Sequence, residues 1–333
     1  MRNERFATGL GALLVLAAST LPALAQSETK TADDLVSAVV QIKTFINPDG
    51  RTVENLGRER EGTGIVIDSN GLVLTIGYLM VEAHAAEIVT SEGRTVGADV
   101  VGYDYDTGFG LLRASSPLKV PPMQLGRSAS VKEGDRLLVA GFGGLDMLGA
   151  TLVVSKREFA GYWEYLLEEA IFTSPPHPRW SGAALINREG KLVGVGSLIV
   201  NDATGKGEGV PGNMFVPIDE LPPILAEMIA GGRVTRRPKP WLGLTTDDIG
   251  GRLVVRRVTS RGPAEKGGIR AGDTIVGVGG ERPRSLGDFY RKLWSQGDAG
   301  VTIPLDIERG GGRQRIELKS VNRLEHLKLN STF

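Results

Sequence analysis

The 333-residue sequence contains no cysteine, which excludes disulfides, a thiol nucleophile and any thiolate metal site. Histidine is almost as scarce: only His84, His177 and His326 occur, so a histidine-rich metal centre has no basis. Neither a metal nor a cofactor is expected. An excess of one charge is also missing, with 39 Lys+Arg against 39 Asp+Glu. A nearly neutral surface gives no reason to expect nucleic acid or anionic lipid as a partner. Long apolar runs are absent after the first residues. There, Arg2 and Arg5 precede an uncharged stretch from Phe6 to Ser27, and Leu10 to Leu21 is mostly Leu, Ala and Val. Ala23-Leu24-Ala25 then supplies small residues for cleavage, so residues 1–25 are read as a secretory signal peptide. Its removal takes away Arg2, Glu4 and Arg5 and leaves a formal charge of −1. The product would be periplasmic or secreted. The alternative is an uncleaved membrane anchor, because ~20 apolar residues can span a bilayer; Pro22 and the Ala-x-Ala ending favour cleavage.

What is abundant is glycine, at 46 residues. Short apolar runs recur between glycines and Asp or Asn: 64–68, 71–75, 136–140 and 191–195. This spacing predicts a mainly β chain, an antiparallel barrel or sandwich. Helical periodicity is confined to a few places, one being 218–229, which ends at Gly231-Gly232. Residues 233–240, Arg-Val-Thr-Arg-Arg-Pro-Lys-Pro, have no apolar face and read as a solvated interdomain linker. Beyond it, 251–258 and 274–278 read as strands, and 263–266 as a short helix opened by Pro263. Residues 285–294 read as a helix capped by Ser285 in a variant of the capping box with Asp288. The strictly alternating 301–307, the turn at Gly310-Gly311-Gly312 and the return through Ile316 and Leu318 form a hairpin.

Three segments, "GTGIVIDSNGLVLTIGYLMVEA" (62–83), "VGYDYDTGFGLLR" (101–113) and "HPRWSGAALINREGKLVGV" (177–195), resemble in order and spacing the active-site segments of the HtrA (DegP-like) serine proteases. "WLGLTTDD" (241–248) with "GPAEKGGIRAGDTIVGVGG" (262–280) resembles the PDZ domain that follows in that family. The resemblance implies a chymotrypsin-type double β-barrel over 31–232 and a linker at 233–240. A PDZ domain, a β-sandwich with two helices, would occupy 241–322, and a tail 323–333. It also implies that the chain is exported, and that it forms a homo-oligomer such as a trimer or a hetero-oligomer with an active family member.

Carried over residue by residue, the resemblance places Ser181 at the nucleophile, Tyr78 at the general-base histidine and Gly108 at the orienting aspartate. A serine hydroxyl attacks only when a base takes its proton and later passes it to the leaving group. A phenol of pKa ~10 stays protonated at neutral pH, and glycine has nothing with which to orient an imidazolium. The oxyanion region is altered as well. Arg179 stands where the family has a glycine, and Trp180 follows it. His177, four residues before Ser181 in a segment stiffened by Pro175, Pro176 and Pro178, is the candidate for a substitute dyad. His84 reads as a surface residue, and Asp104 and Asp106 as turn residues. The expectation is a pseudoprotease, with an active serine endopeptidase using Ser181 and another base as the alternative.

The second module retains its motif. Trp241, Leu242, Gly243 and Leu244 match the loop whose backbone N–H groups receive a peptide's terminal carboxylate, the peptide then adding as a strand. Phe289 and Leu293 on the facing helix are candidate pocket residues, or ordinary core. The partners implied are peptides or unfolded protein C-termini, and the role that of a scaffold, sensor or chaperone-like factor in envelope protein quality control.

Overall fold

The computed structural model describes residues 31–329; the signal peptide at 1–25 lies outside them. After the helix α1 (Ala32–Ser37), the strands β1 (Val39–Ile46), β2 (Glu59–Val66), β3 (Leu72–Ile76), β4 (Ala83–Val89), β5 (Thr95–Tyr103) and β6 (Phe109–Ala114) close into an antiparallel barrel in the order β1-β2-β3-β6-β5-β4. A short helix α2 (Val53–Leu56) lies between β1 and β2. The strands β7 (Arg136–Ala140), β8 (Leu148–Gly161), β9 (Tyr165–Ser174), β10 (Ala184–Ile186), β11 (Leu192–Val200) and β12 (Gly212–Pro217) form a second closed barrel, β10-β11-β12-β9-β8-β7.

The unbroken apolar run at 183–186 follows from the packing of the two barrels. Ala183 and Leu185 point into the second barrel with Val139, Val193 and Phe215. Ala184 and Ile186 join the cluster shared with the first barrel, alongside Phe172, Val195 and Met214. Successive strand residues face opposite sides, so a strand apolar on both faces is what two abutting cores require. The helix α3 (Pro222–Gly231) starts at Pro222, after a single tight turn at Ile218–Glu220, and stops at Gly232, whose φ of 69° is the left-handed cap.

The third unit has β13 (Pro240–Trp241) paired with β19 (Val321–Asn322), and a five-stranded sheet β14-β15-β16-β17-β18. Its strands are β14 (Leu244–Ile249), β15 (Arg252–Val258), β16 (Thr274–Val278), β17 (Thr302–Arg309) and β18 (Gly312–Lys319). The helices α4 (Pro263–Lys266) and α5 (Leu286–Trp294) accompany the sheet. On α5, Leu286, Phe289, Tyr290 and Leu293 are buried. Ser285 caps α5 by accepting the Asp288 N–H, while the Asp288 carboxylate reaches the N–H of Arg284, one residue earlier than a capping box requires.

Two stretches differ from expectation. The linker is not simply solvated: Arg236 pairs with Asp104 (2.8 Å) and Asp106 (2.6 Å), and Lys239 with Asp106 (3.2 Å). Asp104 is buried and would be costly to leave unpaired. The segment from 323 folds back as α6 (Arg323–His326), and the Lys328 N–H donates to Glu82 of the first barrel at 2.6 Å.

Candidate functional site

Tyr78 sits in the single turn Gly77–Leu79 between β3 and β4. The turn is held from below by the buried Arg60, whose guanidinium donates to the carbonyls of Tyr78 (2.6 Å) and Val81 (3.2 Å). Ser181 lies ahead of β10, and its carbonyl accepts the N–H of Thr63 on β2 at 2.8 Å. Gly182 is required beside it: its φ is 76°, and a Cβ there would meet the Thr63 carbonyl oxygen at 2.0 Å. These two loops bring the phenol to the alcohol. The Tyr78 hydroxyl lies 2.7 Å from Ser181 Oγ and donates to the Ser197 carbonyl at 3.0 Å. A phenol has one proton. With that proton on Ser197, the serine must donate to the phenol oxygen. Burial raises the Tyr78 pKa well above its ordinary value, against the opposing hydrogen bond with Ser181, so the phenol is held neutral.

Gly108 occupies a backbone position of φ 81°, where a Cβ would meet the Tyr165 hydroxyl at 3.4 Å and Ile76 Cδ1 at 3.5 Å. Its N–H donates to the Asp104 carbonyl (2.8 Å) and its carbonyl accepts the Gly77 N–H (2.6 Å). Asp104 braces this turn by accepting the Thr107 N–H (2.9 Å) and hydroxyl (2.8 Å).

His177 is buried, and its ring is turned to the backbone: Nδ1 accepts the N–H of Arg179 at 3.1 Å. Burial lowers its pKa. The amide at the expected oxyanion position is therefore spent within its own loop. The Arg179 side chain crosses from one barrel to the other, 3.5 Å from Glu61 and stacked on the Phe142 ring at 4.3 Å. Trp180 lies beside Tyr78, ring centroids 6.5 Å apart. Among the described residues no cluster of three or more His, Asp or Glu side chains could hold a metal.

In the third unit, the N–H groups of Leu242, Gly243 and Leu244 converge on one carboxylate, and it belongs to Glu164. Oε1 accepts from Gly243 at 2.7 Å and Leu244 at 2.8 Å, and Oε2 from Leu242 at 3.1 Å. Gly243 has φ 80°, the left-handed conformation that lets consecutive amides turn to one point. Trp241 contributes its ring, which packs on His326 with centroids 4.8 Å apart. Phe289 and Leu293 are wholly buried in the core of this unit. A cleft of about 250 Å³, bounded by Asp106, Arg236, Lys239, Trp241 and Trp294, reaches Glu164.

Glu164 is the site residue that sequence reasoning missed. It ends the three-residue turn Tyr162-Trp163-Glu164 between β8 and β9, with φ 60°. Three-residue hairpin loops place a left-handed residue at their end, where glycine is favoured. A glycine-free turn in a glycine-rich chain was the available signal.

The family model of the trypsin-like peptidase domain matches residues 62–195, and that of the PDZ domain residues 240–320. HhoA of Synechocystis sp., named as a serine protease, is 29% identical over 81% of this chain and 74% of its own. The probable periplasmic serine endoprotease DegP-like of Ectopseudomonas mendocina is 26% identical over 79% of this chain. The chain spans only 57% of the length of that relative. In fold, the chain is similar to the HtrA-type protease AlgW solved with a decapeptide, with a TM-score of 0.51 and 20% identity over 90% of this chain and 99% of that one.

Proposed function

Because the chain is an HtrA-like protein, a trypsin-type peptidase domain followed by a PDZ domain, we propose that it works by recognition and not by proteolysis. The observation that carries this reading is the 2.7 Å contact between Tyr78 Oη and Ser181 Oγ. The group beside the nucleophile is a neutral phenol whose proton already has an acceptor, so it offers no base for the serine proton. Two further observations support it. Gly108 supplies no carboxylate, and the Arg179 amide is committed to His177, so no base is oriented and the oxyanion hole lacks one donor.

The PDZ domain is then the working part. Its carboxylate loop and the edge strand β14 bind peptide C-termini or unfolded segments by strand addition. The structural relative AlgW was solved with a peptide, and a DegP-like relative is named as periplasmic. By analogy the chain acts as an exported scaffold, sensor or chaperone-like factor in envelope quality control, alone as an oligomer or with an active family member.

A second reading starts from the retained Ser181 and from relatives named as serine proteases: an endopeptidase using another base. Purified protein and a Ser181→Ala variant, incubated with unfolded casein and with a fluorophosphonate probe, separate the two. No difference between them is expected. Labelling or cleavage that disappears in the alanine variant overturns the non-catalytic reading.

A further inference from the structure

We propose that the β8–β9 turn is the resting ligand of the PDZ groove: the Glu164 carboxylate is held in cis where a partner's C-terminal carboxylate would sit, and a partner binds only by displacing it. This rests on the reading of Leu242 to Leu244 as the carboxylate loop.

Four observations converge. The first is the chemistry of the contact, three backbone N–H groups on one carboxylate buried to 1% exposure. No space is left for a second carboxylate, so the two ligands exclude each other. The second is register. β14 is the edge of its sheet, and its Thr246 N–H donates to the Tyr162 carbonyl at 2.9 Å. Along an edge, N–H groups two residues apart point the same way. Amides 244 and 246 thus take a carboxylate and the carbonyl two residues before it, as an added strand ending in a carboxylate would present them.

The third observation is the other wall of the groove. Tyr290 on α5 donates its hydroxyl to the Gly161 carbonyl at 2.7 Å and accepts the Glu164 N–H at 3.1 Å. Ala160 and Leu166, which flank the turn, pack against the PDZ core. The turn is thus gripped by strand, helix and loop together. The fourth is strain. A glutamate at φ 60° holds a backbone conformation that glycine reaches without penalty. Its side chain is what that position supplies.

A buried carboxylate that merely fastens two domains together would not yield to a peptide, and this difference is testable on the full chain. Hydrogen exchange of fragments covering 240–246 is measured by mass spectrometry in wild type, Glu164→Ala and Glu164→Gln. The probe is a pool of decapeptides randomised at the last three positions with free C-terminal carboxylates, and the same pool amidated. Glu164→Ala is expected to raise exchange of 240–246 by tenfold or more, and Glu164→Gln by less. The free-carboxylate pool, but not the amidated one, should restore protection. It should bind the alanine variant at least tenfold more tightly than wild type. In wild type, saturating free-carboxylate pool should raise exchange of 160–166, a readout that holds even if neither variant folds.

Unchanged exchange at 240–246 in both folded variants overturns the proposal, as does equal peptide affinity in wild type and variant. Raised exchange that neither pool reverses upholds the internal contact, and it is the peptide-recognition reading that then fails.

Discussion

Rebuilding the missing triad members tests how deeply the barrel site has changed. Tyr78→His with Gly108→Asp would restore an imidazole and a carboxylate at the expected positions. The aspartate must enter at φ 81°, and a non-glycine residue held in the left-handed region costs about 1–3 kcal/mol. The oxyanion amide is a separate obstacle, since the Arg179 N–H is given to His177 at 3.1 Å. Loss of one such donor lowers kcat by about 10²–10³. The double variant is therefore expected to unfold a few degrees below wild type. Its cleavage of fluorescent casein should stay within about tenfold of the Ser181→Ala background, because its aspartate is strained and its hole incomplete. Adding His177→Ala and Arg179→Gly frees the amide and should raise turnover by about 10²-fold. Thermal denaturation of each variant guards against loss of fold. A double variant that cleaves as fast as the fourfold one would refute the reasoning, since it would mean that the His177 contact withholds nothing.

Three further outcomes are expected. Tyr78→Phe removes the hydroxyl shared by Ser181 and Ser197, and should lower stability to urea by about 1–2 kcal/mol without creating Ser181-dependent cleavage. Arg236→Ala removes the 2.8 Å partner of Asp104, which keeps its two Thr107 bonds, and about 2 kcal/mol of stability to urea should be lost; a loss below 0.5 kcal/mol would mean that the clamp contributes little. Burial raises the Glu164 pKa to about 7 against the lowering by its three amide bonds, so the closed form holds a proton more tightly than the open form, whose exposed carboxyl titrates near its ordinary value. That contribution is present below about pH 4.5 and is lost as pH rises through about 7, so free-carboxylate peptides should bind wild type better at pH 8 than at pH 5, with no such trend in Glu164→Gln. Among the neighbouring groups, burial raises Tyr165 and Tyr290 and lowers Arg323 to about 10 and His326 to about 4.

Local patterning was legible where one face of an element is buried and the chemistry of its ends is explicit. The α5 helix shows this, since Ser285 and the spacing of Leu286, Phe289, Tyr290 and Leu293 mark both its start and its buried side. The barrels were readable through the short apolar runs spaced between glycines. Substitution at Tyr78 and Gly108 was visible too, because a missing residue type can be read directly. The partners of those residues were not. Nothing in the sequence places Ser197 under the phenol or His177 against the Arg179 amide, because both depend on loops meeting across a barrel. The linker's charges looked solvated because Asp104 and Asp106 lie 130 positions or more from Arg236. Glu164 was hidden for the same reason, being 78 residues from the first amide it binds.

Arg236 is fastened to the first barrel only four residues before the PDZ strand at Pro240. Four extended residues reach about 14 Å at most, so a released PDZ domain stays close to the turn it has left. Short tethers of this kind give millimolar effective concentrations. An incoming chain end must therefore outbid a competitor that never diffuses away, and scarce or weakly matched termini will go unnoticed while abundant ones register: the length of a connector sets a threshold of detection.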